Sequence, residues 1–342
     1  MTTDRKRFGI RASLLPLLFL FLLTGFSMPS AAAQSVEVQA TAAATLSDRF
    51  SAEIYGGFLK GQSRELVYDA NTGAKVSELI WSIDRAYVIG GTLAARPFER
   101  LKISVGGWTP VSSSNSMDDY DWLRAGFNDW SDWSSSPDTK LHNAYRIDAR
   151  AAFTLASLNR TAVRDPWTVR RASLEVIGGY RWSKLSWTGY GGTYIYSSGG
   201  GLRNNIGSSP DGEAGISYEQ WWEVPYLGLG ASLGIHRWTL SAEVIGSLWV
   251  KSRDRDYHHL RATLFEDTFS RSSMIALNVA LNFDLTRNVS LFTRFDYEHY
   301  NEAKGETTLT NFNTGRVSTL SGDAAGADFR NMITSLGLRV SF

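Results

Sequence analysis

Within the stretch WVKSRDRDYHH at 249–259, three ionisable side chains recur at alternate positions: Asp254, Asp256 and His258. Alternate residues of an extended strand share one face, so this spacing aims two carboxylates and one imidazole into the same space. Asp256 and His258 are the minimal parts of a general base with an orienting carboxylate, which fixes the imidazole tautomer and stabilises its cation. The segment NSMDDYDWL repeats the spacing with Asp119 and Asp121. Two close carboxylates repel, one of them holds its proton to higher pH, and the pair can hold a water between them. No serine or cysteine stands in a nucleophile context, so water is the expected nucleophile of any hydrolysis here.

Spacing alone leaves other readings open. Asp and His in outward segments are commonly solvated surface. Asp254, Asp256 and His258 could also ligate a metal, but no second His stands at ligand spacing, and no metal site is expected. His142, His236 and His299 are single, and His259 points to the strand face opposite His258. The glycines at 191–192 and 199–201 lack the strand-to-helix context of a phosphate loop.

The elements that must position these residues are strands. Residues 1–33 are set aside as an export signal: Arg5, Lys6, Arg7 and Arg11 precede an apolar run at 14–26, and Ala31, Ala32 and Ala33 supply a cleavage site. Removing those four basic residues and Asp4 from 35 basic and 34 acidic leaves 31 against 33, net −2. No basic excess points to nucleic acid. The chain has no cysteine, which excludes a disulfide framework. After residue 33, no apolar run reaches the roughly 20 residues of a spanning helix. With 12 Trp and 31 Gly, this composition fits an outer-membrane barrel whose strands alternate apolar and polar faces.

Residues 34–342 are expected to form one domain. Ten strands are predicted at 34–60, 79–97, 101–110, 141–158, 171–187, 218–236, 238–251, 274–285, 289–300 and 329–342. Their connections alternate between short turns and long polar loops at 112–139, 188–217, 253–270 and 301–328, as periplasmic turns and extracellular loops do. Glu65 and Tyr68 fall in the loop that follows the first strand, or on its rim. The expected architecture is all-β: a ten-stranded antiparallel transmembrane β-barrel with long extracellular loops, the site facing outward.

Taken together, SMDDYDW, WSDWSSSPDT, GGTYIYSS, IGSSPDGE, VPYLGL, WVKSRDRDYH and the closing LRVSF resemble the omptin family of outer-membrane endoproteases, in the same order and over nearly all of 34–342. The resemblance implies strands that extend well above the membrane and cleavage after or between basic residues. It matches Asp119 and Asp121 to an aspartate couple, and Asp256 with His258 to a dyad that activates water. Glu65 and Asp254 match the acidic pocket for the basic residue before the cut, a pocket that favours Arg or Lys. Asp132 matches an acidic position of undefined role. Ser136 stands where the family often has His.

The resemblance further implies peptide or protein substrates, no cofactor, a monomer, and lipopolysaccharide as an activating lipid held by basic residues on the barrel exterior. Tyr180 and Lys184 match part of that lipid set, whereas Trp182 and Trp221 replace an acidic and a basic residue. The competing reading is a surface adhesin with a vestigial site, drawn from the aromatic segment that carries Trp122, Trp130 and Trp133.

Overall fold

The computed structural model describes residues 49–160, 165, 167–270 and 272–342. The expected export signal and the beginning of the first expected strand lie outside the described residues. From residue 49 onward the described chain belongs to one compact unit.

Among the described residues, alternation of inward and outward side chains produces eleven antiparallel strands: β1 (Phe50–Tyr68), β2 (Lys75–Phe98), β3 (Leu101–Asp121), β4 (Asp132–Asn159), β5 (Val169–Tyr196), β6 (Asn205–Ile235), β7 (Trp238–His258), β8 (Thr263–Phe269), β9 (Ser272–Asp284), β10 (Val289–Asn311) and β11 (Arg316–Ser341). Each pairs with its sequence neighbour, except that β8 and β9 lie one after the other between β7 and β10. Pairing of β1 with β11 closes the ring, so eleven segments fill ten positions. Closure leaves no sheet edge, which is what makes a β-structure viable in lipid.

Much of what reads as loop is strand. The expected loop at 112–139 is β3 to Asp121 and β4 from Asp132, with a true turn of ten residues between them. Likewise β5 runs to Tyr196, β10 to Asn311, and 253–270 contains the end of β7, one 3-10 turn at His259–Arg261, and β8. Glu65 and Tyr68 lie on β1, not in a loop. Polar outward faces of these extensions lower the hydropathy without interrupting the pairing.

Two levels follow. Toward the short turns, the outward face carries exposed Ile54, Leu93, Val105, Leu229, Leu240 and Leu338, a lipid-facing belt. Beyond it the outward positions turn polar, with Lys60, Ser112, Ser114, Arg253 and Arg255 exposed. Inside the belt the lumen is lined by ion pairs. Glu53 holds Arg294 at 2.5 Å and Arg339 at 2.6 Å; Glu298 holds Arg146 and, at 2.8 Å, Arg181, which also reaches Asp148 at 2.8 Å. Above this network the fully buried rings of Trp81, Trp187, Tyr218, Trp222 and Tyr300 cross the barrel. They separate the charged lumen from the outer groove.

Candidate active site

The outer end of β7 explains how the site is built. Ser252, Asp254 and Asp256 are buried while Arg253 and Arg255 between them are exposed, a period of two that sorts carboxylates inward and guanidiniums outward. On β3, Asp119 and Asp121 end the strand with the same spacing, and on β1 Glu65 is 3 % exposed. Strands on opposite sides of the ring thus bring together residues separated by more than a hundred positions.

His258 and Asp256 meet at 2.5 Å through Nε2 and Oδ2. Arg261, from the 3-10 turn, donates a hydrogen bond to His258 Nδ1. A guanidinium can only donate, so Nδ1 carries the lone pair and Nε2–H donates to Asp256. Asp119 Oδ1 accepts from the Ser77 hydroxyl at 3.3 Å. Burial pushes the Asp119 carboxyl well above the usual carboxylate range, and the charges of Asp121 and Asp256 push the same way. Asp121 is raised chiefly by burial, with Asp132 adding, while His258 and Arg261 oppose the shift. Couple and dyad therefore feel each other's charge across one groove.

Beside the dyad lies a second acidic group. Asp254 is 2 % exposed, and its Oδ2 accepts from the Tyr218 hydroxyl at 2.7 Å. Burial drives the carboxyls of Glu65 and Asp254 well above their ordinary range, with Asp256 the next contributor for Glu65 and Asp267 for Asp254. Asp267, on β8, is directly opposite Asp254 in the strand register and is raised to about 6, mainly by burial.

Sequence reading missed Asp267, Arg261 and Tyr218. Asp267 had one available signal, the alternation in which Glu266 faces out and Asp267 in, but its pairing with Asp254 is a matter of register. Arg261 reaches His258 only because the chain reverses tightly after β7.

The other singled-out residues fall elsewhere. Asp132 lies opposite Asp121 in the register, and accepts from the Ser131 hydroxyl at 2.6 Å and the Ser197 N–H at 2.7 Å, tying two outer turns together. Ser136 is buried and donates to the Gly191 carbonyl at 3.0 Å. There Gly192 has φ +109, and an added Cβ would come within 1.9 Å of the Ser135 carbonyl oxygen, so this wall requires glycine. His259 faces away from the dyad, bonded to Ser217 at 2.8 Å. Tyr180 and Lys184 lie outside on β5: Tyr180 donates to Glu223 at 3.1 Å, and Lys184 pairs with Glu219 at 3.2 Å and stands 4.9 Å from the Trp221 ring. Arg253 stacks on the same Trp221 at 5.1 Å. Among the described residues no group of three or more His, Cys, Asp or Glu has a metal-holding arrangement.

Comparison with known proteins places the chain. The omptin family pattern matches residues 46–342. The plasminogen activator of Yersinia pestis is 32 % identical over 298 residues, covering 86 % of this chain and 90 % of that protein. Protease 7 of Escherichia coli K12 is 32 % identical over 300 residues, covering 86 % and 91 %. The crystal structure of the outer membrane protease OmpT from Escherichia coli superimposes with a TM-score of 0.79 at 30 % identity, covering 87 % of this chain and 98 % of that one.

Proposed function

The chain belongs to the omptin family of outer-membrane proteases, and on that premise we propose that it is an endopeptidase cleaving after or between Arg and Lys residues with a water activated at the groove. The observation that carries this reading is the 2.5 Å Asp256–His258 pair facing the Asp119–Asp121 couple.

In this mechanism the couple retains a proton because two carboxylates in a partly desolvated groove cannot both ionise freely. Water bound against it attacks the peptide carbonyl. His258 takes the water's proton at Nδ1, the nitrogen with the lone pair, Asp256 stabilises the resulting imidazolium through Nε2–H, and the imidazolium returns the proton to the amide nitrogen as the C–N bond breaks and the amine leaves. Arg261 now occupies Nδ1, so its guanidinium must swing aside as substrate enters. Glu65 and Asp254 receive the basic side chain before the cut. Their buried, unpartnered oxygens favour a cation and would leave charge uncompensated against a neutral residue.

Lipopolysaccharide is the proposed activating lipid. The supporting feature is an outward patch above the lipid belt in which Tyr180, Trp182 and Lys184 of β5 adjoin Trp221 of β6 and Arg253 of β7. Here Glu223 and Arg253 supply an acid and a base near the positions where Trp182 and Trp221 depart from the family, so phosphate contacts run through Lys184 and Arg253. The protein acts as a monomer in this reading.

Refolded protein supplied with lipopolysaccharide should cleave an Arg-Arg reporter peptide. Full activity in both Asp119→Ala and His258→Ala would sink the mechanism.

A further inference from the structure

Three buried carboxyls converge beside the dyad where two suffice to recognise a single positive charge. Asp254 on β7 and Asp267 on β8 are opposite one another in the register, and Glu65 reaches in from β1. All three are at most 6 % exposed, and each has a buried oxygen without a partner: Glu65 Oε2, Asp254 Oδ1 and Asp267 Oδ1. Like charges directly opposite on paired strands destabilise a sheet. On the outer face of the adjacent rung, Arg255 and Glu266 form the complementary pair at 2.9 Å that a purely structural contact would use. The inward pair gives up that advantage.

The surroundings fix the direction of the free oxygens. The Ser63 hydroxyl donates to Gln220 Oε1 at 2.8 Å, Gln220 Nε2 donates to the Tyr218 oxygen at 3.1 Å, and the Tyr218 hydroxyl donates to Asp254 Oδ2. That relay locks one oxygen of Asp254 and leaves the other facing the cluster. The Tyr218 ring lies 5.5 Å from Trp81, tilted by 9°, and 6.1 Å from Trp187, forming a stack of nearly parallel rings. A planar guanidinium brings five N–H donors in a rigid fork and stacks on aromatic faces, whereas an ammonium brings three donors at one point.

We propose that Asp267 is a specificity-determining residue: with Glu65 and Asp254 it forms a three-carboxylate pocket that selects arginine over lysine before the cut, and the pocket releases a proton to solvent when the guanidinium enters. This deepens the basic-residue reading above and rests on it. The groups facing Asp267 are Asp254 and Asp256 on β7, Glu65 on β1, Tyr218 on β6 and Thr307 on β10, and none of them is a fixed cation. Crowded together without one, the carboxyls retain protons in the empty pocket, consistent with the raised Asp254 and Asp267. An arriving guanidinium replaces those protons as the compensating charge.

The test compares peptides that differ only in Arg or Lys before the cut, using wild type, Asp267→Asn and Asp267→Glu with lipopolysaccharide between pH 5 and 8. Asp267→Asn should raise KM for the Arg peptide by about 10- to 100-fold with kcat within about threefold, the loss expected for one charged hydrogen-bond partner. The Lys peptide should lose less, so that the Arg/Lys preference falls about tenfold. The acidic limb of kcat/KM for the Arg peptide should become less steep by one proton, and Asp267→Glu should restore part of the preference. An unchanged Arg/Lys ratio together with an unchanged acidic limb in Asp267→Asn overturns the inference.

If that variant does not fold, the wild type still decides. n-Butylguanidinium should inhibit about tenfold more strongly than n-butylammonium, and calorimetry in buffers of different ionisation enthalpy should show proton release on binding; equal inhibition without proton release overturns the inference. A wild type that cuts neither peptide overturns the basic-residue reading itself, whereas cleavage of both with no Asp267 effect overturns only the role of Asp267.

Discussion

The lumen within the lipid belt and the groove above it are both lined with charge, and they handle it in opposite ways. In the lumen, Glu53, Glu298 and Asp148 each face arginine: Glu298 touches both Arg146 and Arg181, and Glu53 both Arg294 and Arg339. In the groove, Asp119, Asp121, Glu65, Asp254 and Asp267 face chiefly one another, and His258 and Arg261 are the nearby basic groups. Paired buried charge fixes a structure. Unpaired buried charge stores a demand for a proton or a cation, and a substrate can meet it. The ring floor of Trp81, Trp187 and Tyr218 keeps the two regimes apart, so the arginines below do not neutralise the carboxylates above.

This contrast can be broken most severely at the dyad. His258→Ala or Asp119→Ala should lower kcat by about 10²- to 10⁴-fold, the typical worth of a positioned acid or base, while unfolding in detergent changes little. A variant that loses activity only in proportion to lost folded protein would show that the groove, like the lumen, is structural.

Next in size is the lumen. Glu298→Ala leaves Arg146 without its ion-pair partner and Arg181 with Asp148 alone, and should destabilise the barrel by about 3–5 kcal/mol, read from denaturant unfolding, with little effect on kcat in the protein that remains folded. A selective loss of kcat would contradict the separation of levels.

The pH dependence of stability sharpens the same point. Asp267 has its folded pKa raised from 3.8 to about 6. A group raised in the folded state contributes stability that is present below the unfolded value and lost as pH rises through the folded one. Wild type should therefore lose roughly 3 kcal/mol from this residue between about pH 4 and 6. Asp267→Asn should flatten that window and be more stable than wild type at pH 7.5. A variant less stable at pH 7.5 would mean that Asp267 is held by compensation the groove does not reveal.

The smallest effect is expected at the exterior. Lys184→Ala removes one of the proposed phosphate contacts, at a half-buried side chain paired with Glu219, and should raise the lipopolysaccharide concentration for half-maximal activation by about threefold, as partly screened surface charges do. Saturating activity should be unchanged; a fall in activity at saturating lipid would place Lys184 in the groove's machinery instead.

Much was legible along the chain because a strand exposes its period in the sequence. The alternation in SRDRDYH shows that Asp254, Asp256 and His258 share a face, and β7 carries them so. The even, closed ring was legible too, from short and long connections in alternation. Strand length was not, because outward faces above the lipid are polar and read as loop: Glu65 is on a strand that continues to Tyr68. The split of one ring position into β8 and β9 was equally hidden, since β8 lies within the polar stretch at 253–270 that reads as loop.

The sequence by itself determined the class of structure and which carboxylates share a strand face, because these follow from local periodicity and composition, and its ordered motifs carried the resemblance to the family. Only the tertiary structure decided which faces meet. It set Asp267 against Asp254, brought Glu65 across from β1, and delivered Arg261 to His258. The physical reason is that register between strands and closure of the ring are set by pairing along the whole barrel, and a shift of one residue would turn every one of these side chains to the opposite face.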